Sequence, residues 1–262
     1  MANNQTALIT GASAGLGFEF AKLFARDKYN LVLVARSGPK LAQLAEGLRH
    51  QHGITVKTIP LDLGLPRAAQ DLFEETHRAG IAVDILVNNA GYGRSGSFAD
   101  IAIEESYGQI QLNITALTLL TRLFLPAMIE RRSGKIMNVA STAAFQPGPM
   151  MAVYYATKAY VLSFSEAIAD ELRNTGVYVT CFCPGPTLTE FQKRAQTENT
   201  RVLKQFRPMD AKTVAADGYR ALMANKTLAI SGFKNWIAAE SVRFAPRKAV
   251  TAISRWVAEP VK

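Results

Sequence analysis

The chain has 262 residues, 48% hydrophobic and 19% charged, which excludes disordered, collagenous and disulfide-scaffold classes and suffices for one large core. Its formal charge of +9 is uneven: residues 201–262 hold twelve Lys and Arg against four Asp and Glu, whereas residues 1–200 hold eighteen against seventeen. No run approaches the roughly 18 apolar residues of a membrane-spanning helix, and the first residues lack the basic n-region of a secretory signal, so a cytoplasmic protein is expected.

The first β-rich run, residues 6–10, ends on Thr10-Gly11-Ala-Ser13-Ala-Gly15-Leu16-Gly17, and a helix with apolar Leu16, Phe20, Leu23 and Phe24 follows over 15–26. Glycines between a strand and a helix allow a tight turn and close backbone approach, and the helix's free N–H groups then face phosphate oxygens. A second strand at 31–35 ends at Ala35-Arg36 and leads to a helix at 39–51. A third at 55–61 ends at Asp62-Leu63, before a helix at 67–78. A fourth at 85–88 runs into Asn88-Asn89-Ala90-Gly91. The long helix predicted over 104–131 carries Asn113, a poor helix former, near its middle and Pro126 near its end, so a kink or break is expected.

A fifth strand, 135–140, ends at Ser141, with Thr142 sent to the opposite side by strand alternation. The helix at 153–174 carries Tyr154 and Lys158, four residues apart and hence on one face. Tyr155 is offset by about 100° and faces elsewhere, as does Tyr160. The sixth strand, 177–183, holds the two cysteines, Cys181 and Cys183, whose i, i+2 spacing suits reduced core thiols rather than a disulfide or a metal site. Pro184-Gly185 and Thr187 follow. Residues 185–210 read as an irregular lid, and a short seventh strand falls at 227–231. His50, His52 and His77 are spaced for neither metal nor catalysis, and no metal is expected.

Strands alternating with helices predict a single α/β domain over residues 1–262, a doubly wound parallel sheet of about seven strands whose carboxyl edge carries the ligand. Residues 185–262 form its substrate-side lid and basic extension.

The glycine spacing departs from the common G-x-G-x-x-G pattern. Taken with Asn88-Asn89-Ala90-Gly91, Ser141, Tyr154-x-x-x-Lys158 and Pro184-Gly185, it resembles the classical short-chain dehydrogenase/reductases over roughly residues 5–190. The resemblance implies a Rossmann-like fold, a nicotinamide dinucleotide and a carbonyl or alcohol substrate. Tyr154 is then acid and base, Lys158 lowers its pKa and holds the nicotinamide ribose, Ser141 binds the reacting oxygen, and Asn113 supports a water in the proton relay. Gly11, Ser13, Gly15, Leu16, Gly17, Arg36, Asp62, Leu63, Asn89, Ala90, Gly91, Pro184, Gly185 and Thr187 line the cofactor, with Asp62 toward the adenine and Thr187 toward the nicotinamide amide. Where the family's NAD-selective carboxylate would stand this chain has Ala35 followed by Arg36, whose guanidinium suits a 2'-phosphate and implies NADP(H). Lys40 is a weaker candidate. The family pairs subunits through the Tyr154 helix and the long helix before it, so a homodimer or homotetramer is expected.

Phe191, Phe206, Met209, Phe233 and Trp236 offer an apolar substrate wall, with core packing as the alternative. The basic and aromatic stretch 233–256 suits an anionic membrane surface or an acidic substrate, with a solvated helix face as the alternative. No nucleic-acid motif accompanies the charge, and no nucleic-acid partner is expected. A non-catalytic NADP(H)-binding redox sensor on the same fold is the alternative function, disfavoured by four filled catalytic positions; a nucleotide-sugar epimerase or dehydratase is a further one, disfavoured by its different glycine spacing.

Overall fold

A computed structural model describes residues 4–205 and 208–259; Phe206 lies outside the described residues. Strands β1 (Thr6–Thr10), β2 (Asn30–Ala35), β3 (Val56–Pro60), β4 (Ile85–Asn88), β5 (Gly134–Val139) and β6 (Val177–Cys183) pair in parallel. Two short pieces, β7 (Thr187–Leu188) and β8 (Met209–Asp210), pair with each other outside the sheet. β9 (Leu228–Ile230) completes the main sheet, in the order β3-β2-β1-β4-β5-β6-β9. Strands covered on both faces read as continuous apolar runs, and β1 is buried throughout. Alternation divides them cleanly: Ala7 and Ile9 enter one apolar cluster, Leu8 the other.

On the first face, α1 (Gly15–Arg26) and α2 (Gly38–His52) bury Phe20, Phe24, Leu41 and Leu44. On the second lie α3 (Ala68–Arg78), α4 (Ile103–Ile110), α5 (Leu117–Glu130) and α6 (Ala152–Glu171), with Leu72, Leu120, Phe124 and Met128 among the buried side chains. The region read as an irregular lid contains the short helices α7 (Phe191–Ala195) and α8 (Arg201–Gln205) as well as β7 and β8. α9 (Ala211–Met223) joins the first layer, where Tyr219 meets Phe24 edge-on with ring centroids 4.9 Å apart. α10 (Phe233–Ser241) and α11 (Arg247–Ala258) close the chain.

The irregularity expected near Asn113 is a π-helical turn, Gln111–Ala116, joining α4 to α5, and the helix runs on through Pro126. The result corrects one expectation. Ile103–Glu130 is a continuous 28-residue helix with an 18-residue window of mean hydropathy 1.6, long and apolar enough by length and composition to cross a membrane. One side of it packs into the domain: Leu117, Leu120, Phe124 and Met128 are buried, and Asn113 is sequestered in polar contacts.

Strand order reverses about β1 and β4, which opens a crevice beyond their carboxyl ends. A buried polar chain braces the sheet behind it. Asn88 Nδ2 donates to Thr121 Oγ1 at 3.0 Å and to Asn138 Oδ1 at 2.9 Å, and Asn138 Nδ2 donates to Ser165 Oγ at 3.0 Å. Such a network ties β4 and β5 to α5 and α6 in one register.

Candidate active site

The glycine loop has the shape its sequence demands. Gly11 and Gly15 adopt φ of +67° and +57°, left-handed conformations that a side chain strains. At Gly17 a Cβ would stand 2.6 Å from Asn89 Nδ2 and collide with the Gly11 carbonyl oxygen. Asn89 staples the loop, donating from Nδ2 to Thr10 O at 2.8 Å, while the Asn89 and Ala90 amides both donate to Thr10 Oγ1, at 2.9 and 3.0 Å. A loop held flat against the start of α1 fits a pyrophosphate. Gly17→Ala is expected to lower thermal stability by about 1–3 kcal/mol through overpacking and to weaken dinucleotide binding severalfold. The control is Gly47→Ala, on an exposed turn of α2 with nothing near its would-be Cβ, which stabilises by about 0.5–1 kcal/mol. Thermal midpoints and calorimetric titration read both.

A single cleft of about 1450 Å³ runs from this loop across the sheet edge and is lined by Ser13, Leu16, Arg36, Asp62, Leu63, Gly91, Pro184, Gly185 and Thr187 among others. At one end Arg36 Nη1 lies 3.9 Å from Asp62 Oδ2, and Asp62 Oδ1 accepts from Gly64 N at 2.9 Å, so this carboxylate caps its own turn while facing the cleft. Lys40, also in the wall, bonds Glu190 Oε1 at 3.0 Å, and Arg194 stacks over Tyr92 at 4.0 Å from the ring centroid. Burial and the neighbouring Arg36 hold the Arg194 guanidinium below its usual range. This end of the cleft is therefore rich in cations.

Tyr154 and Lys158 project from α6 into the same cleft. Lys158 is buried, and its Nζ donates to Val139 O at 2.8 Å and lies 5.8 Å from the Tyr154 ring centroid. Ser141 caps the short 3-10 helix Thr142–Phe145, its Oγ accepting from Ala143 N at 3.1 Å. Burial pushes the Tyr154 phenol well above its usual range, and hydrogen bonding from Ser141 pulls it partly back. Burial also brings Lys158 down to about 8, with the nearby Cys181 and Cys183 thiols opposing. Lys158 does not bring the phenol down here: desolvation dominates, and Ser141 is the group that opposes it.

Asn113 Oδ1 accepts from Tyr92 N at 3.1 Å, and its Nδ2 donates to Tyr92 O at 2.8 Å and to Thr157 Oγ1 at 3.0 Å. Thr157 in turn donates to Tyr154 O at 2.7 Å. The amide therefore fixes the backbone beside Tyr154, and its side-chain donors are both engaged with protein. Gly91 sits over this group, since a Cβ there would be 3.0 Å from Asn113 Oδ1 and 3.5 Å from Lys158 Nζ. Thr187 is buried and donates to Gly185 O at 2.8 Å. The thiols are free and buried, 3.8 Å apart, as their spacing implied.

Two expectations fail. Thr142 shares the cleft wall with Ser141, because the chain leaves strand geometry after Val139 and alternation no longer applies. Tyr155 also reaches the cleft, with its ring packed over Gly148 and 6.1 Å from that of Tyr154, because the wall wraps more than one face of α6. Sequence reasoning missed Gly93, where a Cβ would press 2.9 Å from Tyr154 Cδ2; its nearness to Gly91 was the available signal. It also missed Glu190, Arg194 and Asn235, which tertiary folding brings to the wall with no local motif. Of the aromatics proposed for the substrate side, Phe191 lies against Tyr154 at 5.3 Å between ring centroids, and Met209 and Phe233 line the cleft.

The model of the short chain dehydrogenase family matches residues 5–200. The chain is 36% identical over 181 residues to ketoacyl reductase HetN of Nostoc sp., covering 69% of this chain but 63% of that protein, so it spans less than two thirds of that relative. It is 32% identical over 244 residues to the very-long-chain 3-oxoacyl-CoA reductase of Homo sapiens, covering 88% of this chain and 76% of the relative. A short-chain dehydrogenase from Sphingobium yanoikuyae solved in complex with NADPH superposes with a TM-score of 0.82 at 32% identity, over 92% of this chain and 94% of that one. With the glycine cradle and the paired Tyr154 and Lys158 at one crevice, these matches establish that the chain belongs to the short-chain dehydrogenase family of nicotinamide-dependent oxidoreductases.

Proposed function

We propose that the protein is an NADP(H)-dependent carbonyl reductase acting on hydrophobic 3-oxoacyl thioesters, which it reduces to 3-hydroxyacyl thioesters. The observation that carries this reading is the continuity of the cleft. One wall is shared by Arg36 and the glycine loop, by Ser141, Tyr154 and Lys158, and by apolar side chains of the C-terminal part, Leu203, Val242, Ala245, Val250 and Val257, which we read as an acyl arm. The cleft's volume exceeds the roughly 300–1,000 Å³ of an ordinary small-ligand site, in keeping with a dinucleotide and an alkyl chain together. Two relatives that carry ketoacyl or 3-oxoacyl reductase names support the substrate class.

NADPH when bound supplies the hydride to the carbonyl carbon, and charge then develops on the carbonyl oxygen. Ser141 Oγ, oriented by the Ala143 amide, donates toward that oxygen. Tyr154 gives it the proton. A phenol raised by burial is fully protonated at neutral pH, which suits the acid role needed for reduction. Lys158 stands ready to offset the phenolate that remains, and Asn113 is a positioning residue that holds the Tyr154 turn through Thr157.

A pH dependence follows. A lysine is charged below its pKa and neutral above it, so with Lys158 near 8 the supporting cation is complete at neutral pH and lost above about 8. The kcat/KM for reduction is expected to fall as pH rises through that value; an increase through it would contradict the role given to Lys158.

The long helix and α6 expose Ile103, Tyr107, Ile110, Ile129 and Tyr160, apolar surface that supports the proposed homo-oligomer through these helices. Two free buried thiols suit the proposed reducing cytoplasm.

The test is NADPH oxidation with 3-oxoacyl thioesters of increasing chain length. Efficiency is expected to rise with each added pair of methylenes until the apolar arm is filled. Equal rates for the four-carbon 3-oxobutanoyl thioester and for long-chain substrates would remove the acyl arm from the account.

A further inference from the structure

From the C-terminal surface we infer a second function: docking of the protein onto an anionic lipid bilayer, with the mouth of the acyl arm turned to the lipid. Six large apolar side chains are exposed within 24 residues of chain: Phe233, Trp236, Ile237, Phe244, Ile253 and Trp256. Phe244 is 89% exposed and Phe233 74%. Phe233 and Trp236 stack with centroids 5.9 Å apart, so they offer one flat aromatic face. Aromatic bodies at such positions partition into the headgroup region of a bilayer.

The charge of this segment that has no salt-bridge partner among the described residues is positive. Lys234, Arg247, Lys248 and Arg255 have no acidic partner among the described residues. The two carboxylates of the segment are already engaged, Glu240 with Arg243 at 3.4 Å and Glu259 with Arg201 at 3.0 Å. Arg247, Lys248 and Arg255 are exposed and lie together, beside Thr251, on α11. On a helix Arg247, Thr251 and Arg255 form one stripe at i, i+4 and i+8, while Val250, Ser254 and Ala258 fall on the buried side. The helix is held in this orientation by Arg201, which donates to Trp256 O at 2.9 Å and lies over the Trp256 ring. Each such cation near an anionic surface strengthens binding severalfold.

The same surface meets the cleft. Phe233 and Ile253 line its wall yet are largely exposed, which places them at its rim. A bilayer resting on this rim would present a lipid-dissolved substrate directly to the apolar arm. That consequence rests on the reductase reading; the docking itself does not.

The test is sedimentation of the full chain with vesicles of phosphatidylcholine alone or with about one third phosphatidylserine. Binding to the anionic vesicles is expected to be at least about tenfold tighter at low salt and to be lost at high salt. Phe244→Asp and the double variant Arg247→Glu, Lys248→Glu alter groups outside the cleft wall. Each is expected to reduce vesicle binding at least about tenfold, with an unchanged thermal midpoint and unchanged NADPH affinity. Three results would overturn the inference: no binding to anionic vesicles at low salt, binding unaltered in both variants, or a solution dimer that Phe244→Asp dissociates, which would make this face a subunit interface. Because vesicle binding is read without turnover, failure here leaves the reductase reading standing, and failure of that reading leaves docking testable.

Discussion

Tyr154→Phe is expected to reduce kcat for carbonyl reduction by about 10²–10⁴-fold, the range of a positioned general acid, while NADPH affinity and thermal midpoint stay near wild type. The ring accounts for the preserved fold. Phe fills the same volume, keeps the contact with Phe191, and leaves the Lys158 bond to Val139 untouched. Only the hydroxyl beside Ser141 is lost, and with it the proton donor. Ser141→Ala is the informative companion, because Ser141 polarises the oxygen and supplies no proton, so a smaller loss is expected. A Tyr154→Phe enzyme within about tenfold of wild type would mean that another group, such as the neighbouring phenol of Tyr155, donates the proton.

Arg36→Ala is expected to weaken NADPH binding by about 10–100-fold, the loss of a charge-assisted pair to a phosphate, with NADH binding changed by less than about twofold. The guanidinium is half-exposed at the cleft edge, and its weak contact with Asp62, at 3.9 Å, leaves it available to a 2'-phosphate. A surface pair of that length contributes little to stability, so the fold should be indifferent to its removal. Lys40 and Arg194 stand in the same wall and set a residual attraction for the phosphate, which is why the expected loss is finite. Equal losses for the two cofactors in calorimetric titration would contradict the assignment of Arg36 to NADP(H) selection.

The parts of this site that were legible in sequence are those whose physics is local. Gly11 and Gly15 need positive φ, Gly17 needs a missing Cβ, and the four-residue spacing of Tyr154 and Lys158 fixes one helix face, so each is written within a few residues. The strand runs were most legible at β1, β2 and β4, which are buried almost throughout and read as nearly unbroken apolar segments. Thr142 was misread because alternation was carried past Val139, where the strand ends, and Tyr155 because a helical offset says nothing about how far a cleft wraps. Glu190 and Arg194 reach Lys40 and Tyr92 only through the folding of the lid, across about 100 residues or more of chain, and no local pattern announces such a meeting. Asn113 was singled out as a poor helix former, but its bonds to Tyr92 and Thr157 required the π-turn and α6 to be in place.

The most direct test of the central claim is hydride transfer itself. The full chain is incubated with NADPH carrying deuterium at the transferred position of its nicotinamide and a long-chain 3-oxoacyl thioester, and the product is analysed by mass spectrometry. The reductase account predicts a 3-hydroxyacyl thioester with one deuterium at the carbinol carbon, formed by wild type and almost absent with Tyr154→Phe. Tight NADPH binding with no deuterium transferred to this or any other carbonyl offered would contradict it, and would favour a protein that senses the cofactor without turning it over.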